Sequence, residues 1–391
     1  MQMASTDFDL DEAGATAVVA GDQRNKNTPG SNDLQPDDIP PPLNIWQRLQ
    51  SSFSLESPTN PRIALQRNHF LKYPTQLSRT QEQSSQYLGY VLDELDKRNL
   101  PGELALIPMV ESGYRPHARS YDRATGIWQF IPATAKAFGL TEGRWFDSRK
   151  DLVSSTRAAL DYLTQINQEF DGDWALSLAA YNAGSPAVRR AIKKNSKQGK
   201  PTDYWSLDLP SETKVYVPKI LALKQIYLQP EQFGVALVPT GDKSNLELFR
   251  LDGPTDLQLL ANLADLDLED LRRLNPGFKG WHTGVKGPHR LLLPADRIEP
   301  FSQRLAAVPL EDRLRLQPHK VTKGDTLAKI AKRYKSDVEL IQHANQLKSK
   351  QLKLASTLLV PTPYPPAAYT GHTDLLSTRS SDQTAPNKPA S

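Results

Sequence analysis

The sequence predicts a multidomain chain in which an all-α domain is followed by two small βααβ modules. Three observations predict it. Helical periodicity, broken at Gly, Pro and Asp, runs from Thr75 to about Leu228. Past "LQPEQFGVALVPTGD" the texture changes to short apolar strands around compact helices, and there a pattern repeats at a constant offset. A length of 391 residues is also more than one ordinary domain needs.

Residues 1–42 are rich in Asp, Asn, Pro and Gly and close on "DDIPPPL", the composition of a disordered lead-in. Order is expected to begin at "NIWQRLQSSF", opening a helical domain over 43–235. "TQLSRTQEQSSQYLGYVLDELDKRNL" puts Leu88, Val91, Leu92 and Leu95 on one helical stripe before "PG" stops it. "ELALIPMVES" reads as a short, nearly all-apolar and therefore buried helix ending at Glu111. "SSTRAALDYLTQINQEFDG" sets Ala159, Tyr162, Leu163 and Ile166 on a stripe after a Ser cap, and "DWALSLAAYNAG", "SPAVRRAIKK" and "SETKVYVPKILALKQIY" follow. Beyond them, "FRLDGPTDLQLLANLADLDLEDLRRLNP" lies over "HKVTKGDTLAKIAKRYKSDVELIQHANQ" without a gap, at an offset of 70 that carries Leu257 to Leu327 and Asn275 to Asn345. "LLLP" from Leu291 matches "LLVP" from Leu358, so two strand–helix–helix–strand units are expected at 244–297 and 316–362. The Pro-, Ser- and Thr-rich segment 363–391 reads as a disordered tail.

Composition excludes several classes of function. There is no cysteine, hence no disulfide, thiolate nucleophile or cysteine zinc site; the seven histidines are scattered without HExxH, so no metal centre or cofactor is expected. The net charge of +4 suits an acidic polymer but lacks the concentrated basic stripe of a nucleic-acid binder. "RRAIKKNSKQGK" reads as a solvated helix face. No apolar run approaches the ~18 residues of a membrane span. The first residues carry neither a secretory signal nor a lipobox cysteine, so the chain either stays inside or has an export segment upstream of this sequence.

Glu111 heads "VESGYRPHARSYDRATGIWQFIPATA" and follows Leu104, Ile107, Met109 and Val110. Apolar neighbours raise a carboxyl's pKa because burial disfavours the charged form, which is what a general acid needs near neutrality. If the chain breaks a glycosidic bond, standard chemistry wants two carboxylates. The other candidates, Asp122, Asp147, Asp151 and Asp161, sit in a turn, at a helix start or in motifs of low specificity.

Taken together, "ES…P.A.S…GIWQFIPATA", "AAYNAG" and "ETKVYVPKI" resemble the catalytic domain of the soluble lytic transglycosylase family, which has a goose-type-lysozyme-like fold. The resemblance implies cleavage between MurNAc and GlcNAc of peptidoglycan glycan strands, with a 1,6-anhydro-MurNAc end and one acid. It casts Glu111 and Tyr216 as catalytic, and Ser112, Gly126, Gln129, Phe130, Tyr181 and Asn182 as substrate-binding. Gly126 would let the sugar approach the backbone, and Gln129 would offer its amide. Trp128 stands where the family often has Met, and both sugar stacking and core packing are open to it.

The second repeat, with "GDTLAKIA", resembles a lysin motif that binds GlcNAc-containing glycans, implying a glycan-binding turn at Gly324, Asp325 and Thr326. Asn345 is expected to cap rather than touch sugar. The first repeat replaces that turn with "GPTDL" and is open to being a spacer or a weak binder. The implied partner is peptidoglycan, with no nucleic acid, and the implied place is the periplasm or cell envelope. Two rivals remain: a muramidase that uses water, and an inactive wall-binding scaffold.

Overall fold

The computed structural model describes residues 44–239 and 246–365; the lead-in expected to be disordered at 1–42 and all but the first residues of the expected tail lie outside the described residues. The helical part comprises α1 (Ile45–Ser51), α2 (Pro61–Lys72), α3 (Pro74–Ser85), α4 (Leu88–Asp96), α5 (Ile107–Glu111), α6 (Pro132–Ala137), α7 (Leu152–Glu169), α8 (Trp174–Ala183), α9 (Ser185–Lys197) and α10 (Ser211–Leu228). Two strand-containing units follow. The first is β1 (Leu246–Arg250), α11 (Leu257–Leu263), α12 (Leu268–Leu274), β2 (Arg290–Pro294) and an added helix, α13 (Ala295–Ala306). The second is β3 (Arg315–Lys320), α14 (Leu327–Arg333), α15 (Val338–Ala344) and β4 (Thr357–Thr362).

Local chemistry sets most helix ends. Asn44 opens α1 with a capping box, accepting from the N–H groups of Trp46 and Gln47 while Gln47 reaches back. Asn60 and Pro61 open α2, Asp173 caps α8, and Gly184, at φ 81°, closes it.

Three helix expectations change in detail. The stretch from Thr75 to Leu100 is two helices, α3 and α4, parted at Gln86 and Tyr87, where Tyr87 turns its hydroxyl to the carbonyl of Arg273 at 2.8 Å. "ELALIPMVE" is a 3-10 turn over Gly102–Leu106 and then the five residues of α5, because Pro108 has no N–H and is tolerated only in a helix's first turn. It is buried as expected. The cap of α7 is Asp151, not a serine: its carboxylate accepts from Ser154 N at 2.8 Å, and Ser154 and Ser155 already lie inside the helix.

One core fills the helical part, around Leu49, Leu92, Leu104, Leu106, Leu160, Leu163 and Ile220. α10 is buried on nearly all sides, which is why its sequence is apolar without an obvious stripe. Leu246 and Leu292, from the first βααβ unit, belong to this same core.

The two sheets are antiparallel pairs in matching register, Leu248 opposite Leu292 and Gln317 opposite Val360. The offset of 70 has a structural counterpart at Asn275 and Asn345. Each asparagine ends its second helix, donates from Nδ2 to a helix carbonyl and to a strand carbonyl, and accepts that strand residue's N–H at Oδ1, at Leu292 and Leu359 respectively. The cap expectation for Asn345 therefore holds, with the closing strand tied to the helix as well.

The first unit is fastened to the helical part. Asp147 N donates to Gly277 O at 2.9 Å, Lys279 N donates to Trp145 O at 2.8 Å, and Phe146 meets Phe278 edge to face. Arg290 Nη2 donates to Asp151 Oδ2 at 2.5 Å and to Ser154 Oγ at 2.7 Å. A Cβ on Gly277 would run into the Phe146 ring, so the contact requires glycine. Among the described residues, no helix is long and apolar enough to cross a membrane.

Candidate active site

Glu111 is the last residue of α5, and α10 crosses it. The Tyr216 hydroxyl donates to Glu111 Oε1 at 2.7 Å. Burial is the largest influence on this carboxyl and pushes its pKa up to about 7; the Tyr216 bond opposes that, the charge of Glu212 adds to it, and Lys219 opposes it. Burial also holds the Tyr216 hydroxyl well above its ordinary range, followed by the negative field of Glu111, so the tyrosine keeps its proton and remains a donor.

Glu212, Tyr216 and Lys219 sit at i, i+4 and i+7 along α10 and so share a face. Glu212 and Lys219 escaped the sequence reading. The spacing within "ETKVYVPK" was the available signal.

The loop opposite is held by the remaining motif residues. Ser112, buried, donates from Oγ to Ile127 O at 2.9 Å, with Pro108 O at 3.1 Å. The Tyr181 hydroxyl donates to Trp128 O at 2.8 Å. Gln129, itself left-handed at φ 50°, donates from Nε2 to Gly126 O at 2.8 Å and to Ala118 O at 3.3 Å. The Asn182 side-chain oxygen accepts from Thr213 Oγ1 at 2.7 Å, tying the end of α8 to the start of α10.

This geometry alters two expected roles. Gly126, at φ 88°, is buried, and a Cβ there would collide with the carbonyl of Arg149, so the close approach is made by the chain's own backbone. Phe130 is only 3% exposed and part of the core. Trp128 is wholly buried and donates to Thr156 Oγ1 at 3.0 Å, which makes it a core residue and leaves no face for stacking. Glu111 Oε2, Gln129 Oε1 and Asn182 Nδ2 make no hydrogen bond within the described residues.

The candidate second acids are otherwise engaged or exposed. Asp147 is paired with Arg149 at 2.9 Å, Asp151 caps α7 and binds Arg290, and Asp122 and Asp161 face solvent.

In the second βααβ unit, Gly324 has φ 90° and open space around it. Asp325 is spent on the turn: its Oδ2 accepts from Thr322 N at 2.8 Å and Thr322 Oγ1 at 2.9 Å and lies 3.0 Å from His319 Nε2. The Thr322 backbone bond, then His319, holds the Asp325 carboxyl down at about 2. Thr326 caps α14 through Lys329 N at 3.3 Å. Their side chains shape the turn, and Lys329 Nζ donates to the Gly324 carbonyl at 2.9 Å.

The first unit presents nothing comparable. The residues aligned with Asp325 and Thr326 are Thr255 and Asp256, 0% and 1% exposed. Thr283 bonds Thr255 from both backbone and hydroxyl, Asp256 N donates to Arg313 O at 3.0 Å, and Tyr364 N donates to Asp256 Oδ2 at 3.0 Å. Burial pushes the Asp256 carboxyl up to about 6. The equivalent turn is sealed.

Comparison with known proteins agrees with this layout. The transglycosylase SLT domain model matches residues 93–203, the LysM-like domain of lytic transglycosylase MltD matches 245–310, and the LysM domain matches 319–361. The membrane-bound lytic murein transglycosylase D of Escherichia coli K12 is 36% identical over 336 residues, 82% of this chain and 74% of that protein. The soluble lytic murein transglycosylase of Salmonella typhimurium is 27% identical over 121 residues, 30% of this chain and 19% of that one. Among solved structures, the lytic transglycosylase Slt of Pseudomonas aeruginosa aligns at 28% identity and a TM-score of 0.30, over 37% of this chain and 24% of its own.

The helical domain and the strand-containing units thus define a transglycosylase-domain protein with LysM modules. More narrowly, the chain belongs to the family of membrane-bound lytic murein transglycosylase D.

Proposed function

We propose that this chain is a lytic transglycosylase of the cell envelope that cuts peptidoglycan glycan strands between MurNAc and GlcNAc and leaves 1,6-anhydro-MurNAc ends. Residues 43–235 are its catalytic domain, of goose-type-lysozyme-like fold, and the module at 316–362 tethers it to glycan through the turn at Gly324, Asp325 and Thr326. One observation carries the reading: Glu111 is a half-buried carboxyl held by a tyrosine hydroxyl at 2.7 Å, its pKa pushed up to about 7.

At that pKa both protonation states are accessible, and the reaction needs both. Glu111 protonates the glycosidic oxygen, the bond to the anomeric carbon breaks, and the sugar's own N-acetyl group stabilises the positive charge. Glu111, now ionised, takes the proton from the C6 hydroxyl of the same MurNAc as that oxygen closes onto the anomeric carbon. No water is consumed, and Glu111 is again an acid. An intramolecular nucleophile has a large effective-molarity advantage, so a second carboxylate is dispensable. Tyr216 sets the carboxyl's orientation; Gln129 Oε1 and Asn182 Nδ2 are free to meet sugar; Ser112 and Tyr181 hold the loop.

Glu111→Gln is expected to cut turnover about a thousandfold while sedimentation with peptidoglycan stays unchanged. If cleavage survives, Glu111 is not the acid.

A further inference from the structure

The first βααβ unit keeps its fold but has its turn sealed, and its position accounts for its presence. Its loop around Gly284 to Arg290 faces the helical domain's segment Gly139–Phe146 on one side and the start of α15 on the other. These three parts of the chain enclose a cleft of 860 Å³. Specific contacts frame the cleft. Arg144 pairs with Asp337 at 3.2 Å, and Trp281 Nε1 donates to Lys335 O at 3.0 Å, so the second module is set against both neighbours.

The lining is polar and charged. Lys286, Lys350 and Glu339 project there, and no ion pair engages them among the described residues. Trp145 lines it too, but Arg144 lies over its ring at 4.8 Å and His282 packs against it at 4.6 Å, so it serves as a wall rather than as a platform for sugar. Buried polar groups ordinarily find partners. One buried side-chain atom that lacks one, Arg290 Nε, belongs to a residue that lines the cleft.

We propose that this cleft takes the peptide stem of peptidoglycan, a short chain bearing carboxylates and a free amine, with Lys286 and Lys350 meeting carboxylates and Glu339 the amine. Two unpaired cations and one unpaired anion complement that zwitterionic ligand, whereas a stripped glycan offers carboxylates alone and nothing for Glu339. The site rests on the reading of the chain as a peptidoglycan enzyme. It adds recognition of the stem to cleavage of the sugar and gives the sealed module a role as the cleft's floor.

The test uses the full chain carrying Glu111→Gln, so that the ligand survives. Binding is measured on soluble glycan chains that keep uncross-linked stems and on the same chains after an amidase, which leaves one lactyl carboxylate on each MurNAc in place of the stem. Stem-bearing material should bind about fivefold more tightly at low salt, as expected for two exposed ion pairs, and the difference should fade at high salt. Lys286→Glu with Lys350→Glu should bring stem-bearing material to the stripped level and leave the stripped level unchanged. The milder Lys286→Gln with Lys350→Gln should act in the same direction. Equal binding of both materials by the parent, or equal loss on both in the variants, overturns the proposal. Failure of the underlying enzyme reading would show separately, as no cleavage of stripped glycan by the chain with Glu111 intact.

Discussion

Glu103 and Glu111 lie in one apolar stretch, the first wholly and the second half buried, and they differ in what meets them. Glu103, wholly buried, accepts from Leu55 N at 2.9 Å and Ser54 N at 3.2 Å and pairs with Lys224 at 2.7 Å. Among the described residues Glu111 has one neutral donor, Tyr216, and no cation in contact. A buried carboxylate with a cation and two N–H groups is a brace, whereas one left with a single hydroxyl keeps its proton until about pH 7 and can pass it on.

Breaking the brace should have the largest effect. Glu103→Gln leaves Lys224 without its counter-charge and should cost about 3 kcal/mol of stability, read from urea unfolding, with little change in turnover per folded molecule. A small stability loss, or a selective loss of turnover, would erase the contrast.

The second effect has the opposite sign. A carboxyl whose folded pKa is raised destabilises the fold as pH climbs from its unfolded value to its folded one, here from 4.5 to about 7. Glu111→Gln removes that penalty. The variant should match the parent at pH 4 and exceed it at pH 8 by on the order of 3 kcal/mol. No gain at pH 8 would mean that the acid is not desolvated.

Tyr216→Phe sharpens the comparison further. It takes away the group that lowers the Glu111 pKa, so the alkaline limb of the pH–rate profile should move upward while turnover falls about 10- to 100-fold through lost orientation. A limb that moves downward would contradict the assignment. Smallest of all, Glu212→Gln removes an exposed charge that raises the Glu111 pKa and should shift the limb down by less than about one pH unit, with most turnover kept. Loss of turnover as severe as that of Glu111→Gln would instead make Glu212 the second acid of a hydrolase.

Much of this was legible in the sequence because it is local or periodic. The offset of 70 located Asn275 and Asn345 in the same job, and the family resemblance carried by "ETKVYVPKI" singled out Tyr216, 105 residues from Glu111. Features set by distant pairings were not legible. Nothing near Glu103 announces Lys224, and nothing in "GPTDL" announces Arg313 or Tyr364 closing over it. Gly126 and Gln129 looked like ligand-facing residues because close backbone approach and amide hydrogen bonding serve a sugar and a tight loop alike. The collision with Arg149 gives Gly126 to the loop, and the bonds from Gln129 Nε2 to Gly126 and Ala118 hold that loop while leaving its Oε1 open.

The central claim is that Glu111 works without a second carboxylate because the substrate supplies the nucleophile. Digestion of purified peptidoglycan in ¹⁸O-labelled water, followed by mass spectrometry of the fragments, tests it most directly. The account requires 1,6-anhydro-MurNAc ends that carry no label. Reducing MurNAc ends that have gained one ¹⁸O would contradict it.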